Sequence, residues 1–140
     1  MEEQPSPAEA TGFRFTLTCE RCGGESGSVE VLPPGQLPER AVAWLQKDRD
    51  AYLSREPGWT IFYRGLTRES GWFGAPLKGA EEAANLRRMF EPFDGPRVLR
   101  EFRDIGWCPG CEVAYCGRCW RYTVREDERA CPKRHGVWFE

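Results

Sequence analysis

The sequence has few of the residues that enzymes use for acid–base and phosphate chemistry. His135 is the only histidine among 140 residues, and there is no G-x-x-x-x-G-K-[ST] phosphate-binding loop. Glu81 and Glu82 are adjacent, so on a helix they point in different directions and make a poor catalytic pair. No residue pattern therefore indicates an enzyme.

Long apolar runs and a strong net charge are also missing. The 20 Lys and Arg residues against 22 Asp and Glu give a net charge of −2, which does not favour a broadly basic nucleic-acid-binding surface. No apolar run approaches the ~20 residues of a membrane span. The acidic, proline-containing N-terminus is unlike a signal peptide. From these absences we expect a cytoplasmic protein without membrane association.

The cysteines are the informative feature of the composition. There are seven, an odd number that fits a secreted disulfide framework poorly. Six of them form three Cys-x-x-Cys pairs: Cys19/Cys22, Cys108/Cys111 and Cys116/Cys119. The seventh, Cys131, lies four residues before His135. Seven thiols and one imidazole make eight ligands, the number that two tetrahedral zinc ions require.

Other interpretations of the same residues remain open but are weaker. A catalytic zinc needs an open coordination position, and eight ligands divided four and four leave none. An iron–sulfur site is less consistent with His135 and with the paired turns. A thioredoxin-like redox role for the Cys116-Gly-Arg-Cys119 segment lacks the βαβ context. Reduced structural thiols with a surface histidine would leave the position of His135 unexplained.

The short link between Cys111 and Cys116 decides which pairs combine. Only four residues separate these cysteines, so folding one pair back onto the other would crowd the backbone. We therefore expect zinc 1 to be held by Cys19, Cys22, Cys116 and Cys119, and zinc 2 by Cys108, Cys111, Cys131 and His135. This is a cross-brace, in which the first pair joins the third and the second joins the fourth.

The run from Cys108 to Trp120 contains two Cys-x2-Cys pairs separated by four residues that end in Tyr115. It resembles the centre of FYVE-type zinc fingers and, more loosely, is similar to RING-like and AN1-type fingers. The resemblance covers residues 107–135 and the isolated 19–22 pair, and it implies a treble-clef or related core with a cross-brace. FYVE domains carry a basic, histidine-containing motif before the second pair. Residues 101–107 lack that motif, so phosphoinositide binding is not implied.

Hydrophobic patterning predicts an α+β fold. The expected strands are residues 13–18, 28–32, 59–64 and 97–103, and the expected helices are 38–55 and 80–90, with a loop at 65–79. After a disordered tail of residues 1–12, we expect one zinc-stabilised domain over residues 13–140. In it, an N-terminal hairpin with Cys19 and Cys22 at its tip joins a C-terminal two-zinc module. Residues 33–96 form a two-helix insertion between them.

Two surface features bear on function. Trp72 and Phe73 lie between two glycines in a predicted loop, where aromatic residues can anchor a partner, although they could instead plug the core. Residues 97–140 are mildly basic, with nine positive against seven negative side chains. The predicted function is a protein-interaction or adaptor module with two structural zinc ions. The alternatives are a nucleic-acid-binding zinc protein and an accessory subunit of an enzyme.

Overall fold

The computed structural model describes residues 12–55, 57–122, 128–133 and 136–138. Residues 1–11 of the predicted tail lie outside the described residues, and so does His135. None of the described helices combines the length and the hydrophobicity that crossing a membrane requires.

A four-stranded antiparallel sheet in the order β1-β2-β3-β4 forms the centre of the fold. Its strands are β1 (Phe13–Thr18), β2 (Glu25–Leu32), β3 (Thr60–Arg64) and β4 (Ala75–Pro76). The predicted β1 is confirmed, and β2 and β3 agree with prediction except at their first residues. The short β4 lies in the predicted loop 65–79. Because β3 and β4 belong to the same sheet as the hairpin, residues 33–96 contribute strands as well as helices.

Alternation along the strands gives this sheet two different faces. Phe13 lies opposite Val31 and Phe15 opposite Val29, and these apolar side chains share the face that packs on the main core. On the other face Arg14 lies opposite Glu30, which in turn lies opposite Phe62. The first face is covered by helices, and the second is partly open to solvent.

The described part contains three α-helices: α1 (Gln46–Ser54), α2 (Ala80–Phe90) and α3 (Gly95–Glu101). The predicted helix 80–90 is confirmed. Its acidic first turn and its basic last turn complement the helix dipole. Phe90 at its end contacts the sheet, with ring centroids 5.9 Å from Phe13 and 5.0 Å from Phe15. Helix α2 therefore covers the apolar face of the sheet.

The single helix predicted over residues 38–55 is wrong. The chain instead forms a short 3₁₀ helix, Glu39–Ala43, and then α1. Between them Trp44 and Leu45 have extended backbone, with ψ of 150° and 157°. The break directs the Trp44 ring onto Tyr52 and Phe73, at centroid distances of 5.6 and 5.3 Å. Packing of one aromatic side chain thus outweighs local helix propensity.

The strand predicted at residues 97–103 is also wrong, because α3 occupies most of that stretch. The Asp94 carboxylate accepts a hydrogen bond from the Arg97 N–H at 3.2 Å, and Pro96 lies in the first turn. An N-cap aspartate followed by proline is a strong helix start. The helix places the Val98 side chain in the main core, where it is fully buried. A second 3₁₀ helix, Arg103–Ile105, follows.

Short strands make up the C-terminal part of the chain. The β5 (Trp107–Cys108) and β6 (Val113–Ala114) strands pair with each other. The remaining three, β7 (Arg121–Tyr122), β8 (Glu128–Ala130) and β9 (Gly136–Trp138), form a separate antiparallel sheet in that order. This part of the chain carries five of the seven cysteines.

Candidate metal centres

The seven cysteines lie in two compact groups. Cysteine set 1 consists of Cys19, Cys22, Cys116 and Cys119, and cysteine set 2 consists of Cys108, Cys111 and Cys131. Within each set the sulfur atoms all lie within 4.8 Å of one another. The division is the same as the one we inferred from the short link between Cys111 and Cys116. Each set is positioned to bind a metal ion.

The separations between sulfur atoms agree with a tetrahedral metal site. Four sulfurs bonded to one zinc at about 2.3 Å lie about 3.8 Å from each other, whereas a disulfide holds two sulfurs at about 2.05 Å. In set 1 the Sγ–Sγ distances are 3.3 Å for Cys22–Cys116, 3.6 Å for Cys19–Cys119 and 3.7 Å for Cys116–Cys119. In set 2 the Cys111–Cys131 distance is 3.7 Å. None of the seven forms a disulfide.

Tight turns present the sulfurs of each Cys-x-x-Cys pair to a common point. The Gly23 N–H donates to the Cys19 carbonyl at 2.9 Å, and Gly23 has φ of 78°, a conformation that favours glycine. In the second pair the Glu112 N–H donates to the Cys108 carbonyl at 2.8 Å, and Glu112 has φ of 57°. The residue after the second cysteine is therefore left-handed in both turns. In the third pair the Cys119 N–H donates back to Cys116 at 2.9 Å.

A backbone contact joins the tip of the hairpin to the C-terminal part of the chain. Cys19 forms a parallel bridge with Ala114 of β6, and the Glu20 N–H donates to the Ala114 carbonyl at 2.8 Å. This contact places the first cysteine pair against a segment nearly a hundred residues later in the chain. Cysteine set 1 therefore joins the N-terminal hairpin to the C-terminal part of the chain.

Cysteine set 2 has three described members, and Tyr115 lies against it. Cys108 and Cys131 are buried, whereas Cys111 is partly exposed. The Tyr115 hydroxyl hydrogen-bonds the Cys111 side chain, and this bond, followed by burial and the nearby thiols, raises the pKa of Tyr115. The predicted fourth ligand, His135, lies outside the described residues. The described part of set 2 thus offers three sulfur ligands.

Ionisation in set 1 is uneven among the four thiols. Burial alone would raise the pKa of Cys19. Hydrogen bonds with the backbone of Cys116, Cys22 and Arg21 outweigh it and lower that pKa to about 6. Burial, together with the Cys19 and Cys116 side chains, raises the pKa of Cys119 to about 12. Backbone hydrogen bonds thus favour the thiolate form of Cys19, and thiolate is the form that binds metal.

The pKa values of the other thiols shift for related reasons. Burial would raise the pKa of Cys116, but a hydrogen bond with Cys22 and backbone hydrogen bonds lower it. The Gly24 backbone lowers the pKa of Cys22, yet the Cys116 and Cys19 side chains and burial outweigh it and raise that pKa. In set 2, burial raises the pKa of Cys108 to about 11. A cation bound among these sulfurs would lower all of their pKa values, since it favours the charged form.

An apolar cluster encloses the sulfurs, separate from the main core. Buried Tyr115 and Trp120 belong to this cluster, with rings 6.2 Å apart and nearly perpendicular, and Leu66 packs against it. Trp107 directly precedes Cys108 but belongs to the main core, where its ring meets the Phe93 ring edge to face. The reason is the alternation along β5, which sends Trp107 and Cys108 to opposite sides.

Gly106, whose role no sequence pattern predicted, lies where the cysteine-bearing segment meets the central sheet. Its carbonyl accepts hydrogen bonds from the Trp120 indole N–H at 3.0 Å and from the Tyr115 N–H at 2.9 Å. Its φ is 94°, and a side chain there would meet the Tyr115 carbonyl. The neighbouring Ile105 carbonyl accepts from the Ser26 hydroxyl of β2 at 3.1 Å.

Asp104 is a second residue that sequence reasoning missed. It is a buried carboxylate that accepts hydrogen bonds from the Thr67 and Arg68 N–H groups, both at 2.7 Å, and from the Thr67 hydroxyl at 2.8 Å. These bonds hold the loop after β3 against the residues that lead into β5. The only signal that the sequence offers is an acidic residue directly before the apolar segment Ile105-Gly106-Trp107.

The two candidate partner-binding aromatics behave differently. Trp72 is 58% exposed, and its ring stacks on Trp44 with centroids 5.7 Å apart. Phe73 is partly buried and packs on Trp44 and Tyr52. Phe73 therefore anchors the loop, whereas Trp72 remains available at the surface.

No protein-family model matches this chain, and comparisons with curated proteins and with solved structures found no match either. The two cysteine sets are consistent with a zinc-finger-like module without assigning it to a specific type. Functional conclusions therefore rest on the chain's own residues.

Proposed function

We propose that the chain is a protein-interaction module whose fold is held by two structural zinc ions in a cross-brace. The observation that carries the zinc assignment is the grouping of the cysteines, with Sγ–Sγ distances of 3.3 to 3.7 Å in set 1. The protein-binding role is supported by exposed apolar side chains, four of which lie within residues 37–53.

Zinc suits the donors of both sets. Thiolate and imidazole are soft or borderline ligands that favour zinc over magnesium or calcium. Set 1 supplies four sulfurs, which close a tetrahedron and leave no position for a substrate water. For set 2 we assign His135, four residues after Cys131, as the fourth ligand. When bound, zinc supplies charge neutralisation and a fixed crosslink. The residues supply the turns that orient the sulfurs.

Serine replacement of a single ligand tests the stoichiometry and the pairing together. With zinc in excess, we expect two zinc ions per wild-type chain and about one in Cys19→Ser, because that change opens set 1 and leaves every ligand of set 2 in place. Metal analysis by mass spectrometry under native conditions makes the measurement. Cys131→Ser is the matched control and should also leave one ion, bound at set 1.

Iron in place of zinc, or one ion in the wild-type protein, would contradict the assignment. Loss of both ions from Cys19→Ser, with the chain still folded by circular dichroism, would show that the two sets do not act as separate sites.

The exposed apolar side chains mark the surface that we propose for partner binding. In the described part the exposed large apolar residues are Leu37, Val42, Leu45, Leu53 and Trp72. Four of them lie within residues 37–53, and Trp72 stacks on Trp44 of the same segment. Val42 is 82% exposed and Leu45 63%. Such concentrations of apolar surface are typical of interaction sites.

Trp72→Ala should weaken partner binding by about 2 kcal/mol or more, about thirtyfold, because exposed tryptophans are frequent hot spots. A protein captured by wild-type chain from the cells that make it would be purified, and its 1:1 affinity measured by calorimetry for both variants. Arg100→Ala, on the exposed side of α3, is the control. Equal affinities of the wild-type and Trp72→Ala chains would refute this surface, and a steep fall of affinity for mixed RNA with salt would favour nucleic acid instead.

A further inference from the structure

The outer face of the central sheet contains an open groove of about 430 Å³. Its floor includes the small hydroxyl side chains of Thr16 and Ser28, which lie opposite each other on β1 and β2. Arg64 of β3 follows in the same row. The first 3₁₀ helix and Trp72 border the groove. This volume is within the range of sites that hold a small molecule or a few side chains.

The aromatic border of the groove combines a stacked tryptophan pair with a phenylalanine. Trp44 is buried beneath Trp72, and Phe62 lines the groove beside them. Because Trp72 is largely exposed, one face or edge of its indole is available to a flat side chain. Aromatic pairs are worth about 0.5–1.5 kcal/mol beyond the area that they bury. The border therefore favours an aromatic group.

Some of the charged residues of the groove are paired: Arg64 with Glu69 outside the groove, and others with one another. Arg14 forms an ion pair with Glu39, and the Glu39 N–H donates to the Glu30 carboxylate. Arg40 differs, since its guanidinium lies over the Phe62 ring at 4.8 Å and forms no ion pair with a described carboxylate, although its charge acts on the nearby Glu30. A guanidinium stacked on a ring keeps its N–H edge free for two parallel hydrogen bonds to a carboxylate.

We propose that this groove binds an extended peptide segment of the partner protein, in which an aromatic side chain stacks on Trp72 and a neighbouring carboxylate pairs with Arg40. The inference rests on the proposed protein-interaction function and names the chemistry of its partner. It assigns Arg40, Trp44 and Trp72 to recognition.

Charge balance favours a peptide over a nucleic acid in this groove. Three arginines and three glutamates line it, so it presents no continuous positive track for a phosphate backbone. Arg40, which forms no ion pair with a described carboxylate, can pair with one carboxylate of a ligand. A segment with a single acidic group next to an aromatic residue therefore complements the groove better than a polyanion does.

The test uses a synthetic peptide blocked at both ends, with a central Phe-Glu-Phe-Glu segment flanked by glycine and serine. Binding to the zinc-loaded full chain is followed by quenching of its tryptophan fluorescence and by calorimetry. Two companion peptides replace glutamate with glutamine or phenylalanine with alanine. The protein variants are Arg40→Gln, Arg40→Lys and Trp72→Ala, with Arg100→Gln as the matched control. Zinc content and circular dichroism establish that each variant is folded.

We expect the first peptide to bind, and Arg40→Gln or Trp72→Ala to weaken it by about tenfold or more. Arg40→Lys should weaken binding less than Arg40→Gln does, because it keeps the positive charge. It should not match the wild type, because an ammonium group cannot form the two parallel, coplanar hydrogen bonds of a guanidinium. Arg100→Gln should be unchanged, and each companion peptide should bind about tenfold more weakly.

Absence of binding up to about 1 mM peptide, or equal binding by Arg40→Gln, would overturn the inference. Stronger Arg40-dependent binding of a single-stranded oligonucleotide would overturn it in favour of nucleic acid. If the peptide fails while Trp72→Ala still disrupts the complex with the captured protein, the proposed function stands and only this peptide chemistry is wrong.

Discussion

Chelation of zinc should expose residues 106–122 and the Cys19–Gly24 turn to fast amide exchange, while the central sheet and α2 stay protected. Structural zinc contributes on the order of 10 kcal/mol per site, comparable to the whole net stability of a domain. The apolar cluster around the cysteines is separate from the main core. The main core has its own buried side chains from the sheet and helices, so it keeps a driving force when the metal is removed.

Hydrogen exchange with mass spectrometry, before and after treatment with a strong chelator, makes the measurement. Readdition of zinc should restore protection, which controls for irreversible unfolding. Acid should act like the chelator, because protons compete with zinc for thiolates and for neutral imidazole. Unchanged exchange in residues 106–122 after complete metal removal would show that zinc does not hold this module together.

Asp104→Ala should lower the free energy of unfolding by about 2 to 4 kcal/mol. The change removes three hydrogen bonds to a buried carboxylate and leaves the Thr67 and Arg68 N–H groups without their acceptor. Asp104→Asn keeps the size and one acceptor oxygen, so we expect a smaller loss. Urea unfolding of the zinc-loaded protein, followed by circular dichroism, measures the difference.

Asp50→Ala is the matched control for Asp104, since the exposed Asp50 carboxylate accepts just one hydrogen bond among the described residues, from the Gln46 side chain. Asp50→Ala should change the free energy of unfolding by no more than about 0.5 kcal/mol. If Asp104→Ala behaves like Asp50→Ala, then the loop after β3 is not fastened through this carboxylate.

Local patterns in the sequence were sufficient for several elements and for the grouping of the cysteines. Alternation predicted β1, and the charged ends of residues 80–90 predicted α2, because each signal lies within the element itself. Cysteine spacing led to the correct division of the sulfurs because a four-residue link is too short for one pair to meet the next. That argument depends on chain geometry and needs no tertiary information.

The two errors in secondary structure have different physical causes. The break at Trp44 depends on Tyr52 and Phe73, which come later in the chain. Residues 97–103 contain apolar positions that fit either a strand or a helix, and the deciding signal, Asp94 with Pro96, lies just before them. The groove could not be predicted from the sequence either, since the residues that form it come from three strands, the first 3₁₀ helix and a loop.

The bridge between Cys19 and Ala114 has a consequence for how metal would load. Strand β6 lies between Cys111 of one set and Cys116 of the other, and it also receives the hairpin tip. An ion that orders either set therefore fixes part of the backbone that the other set requires, so the second ion enters a partly organised site. Chains with a single ion should then be scarce during a zinc titration, and empty and fully loaded chains should predominate. Limited zinc would thus divide a population of molecules into functional and non-functional copies instead of weakening all of them equally.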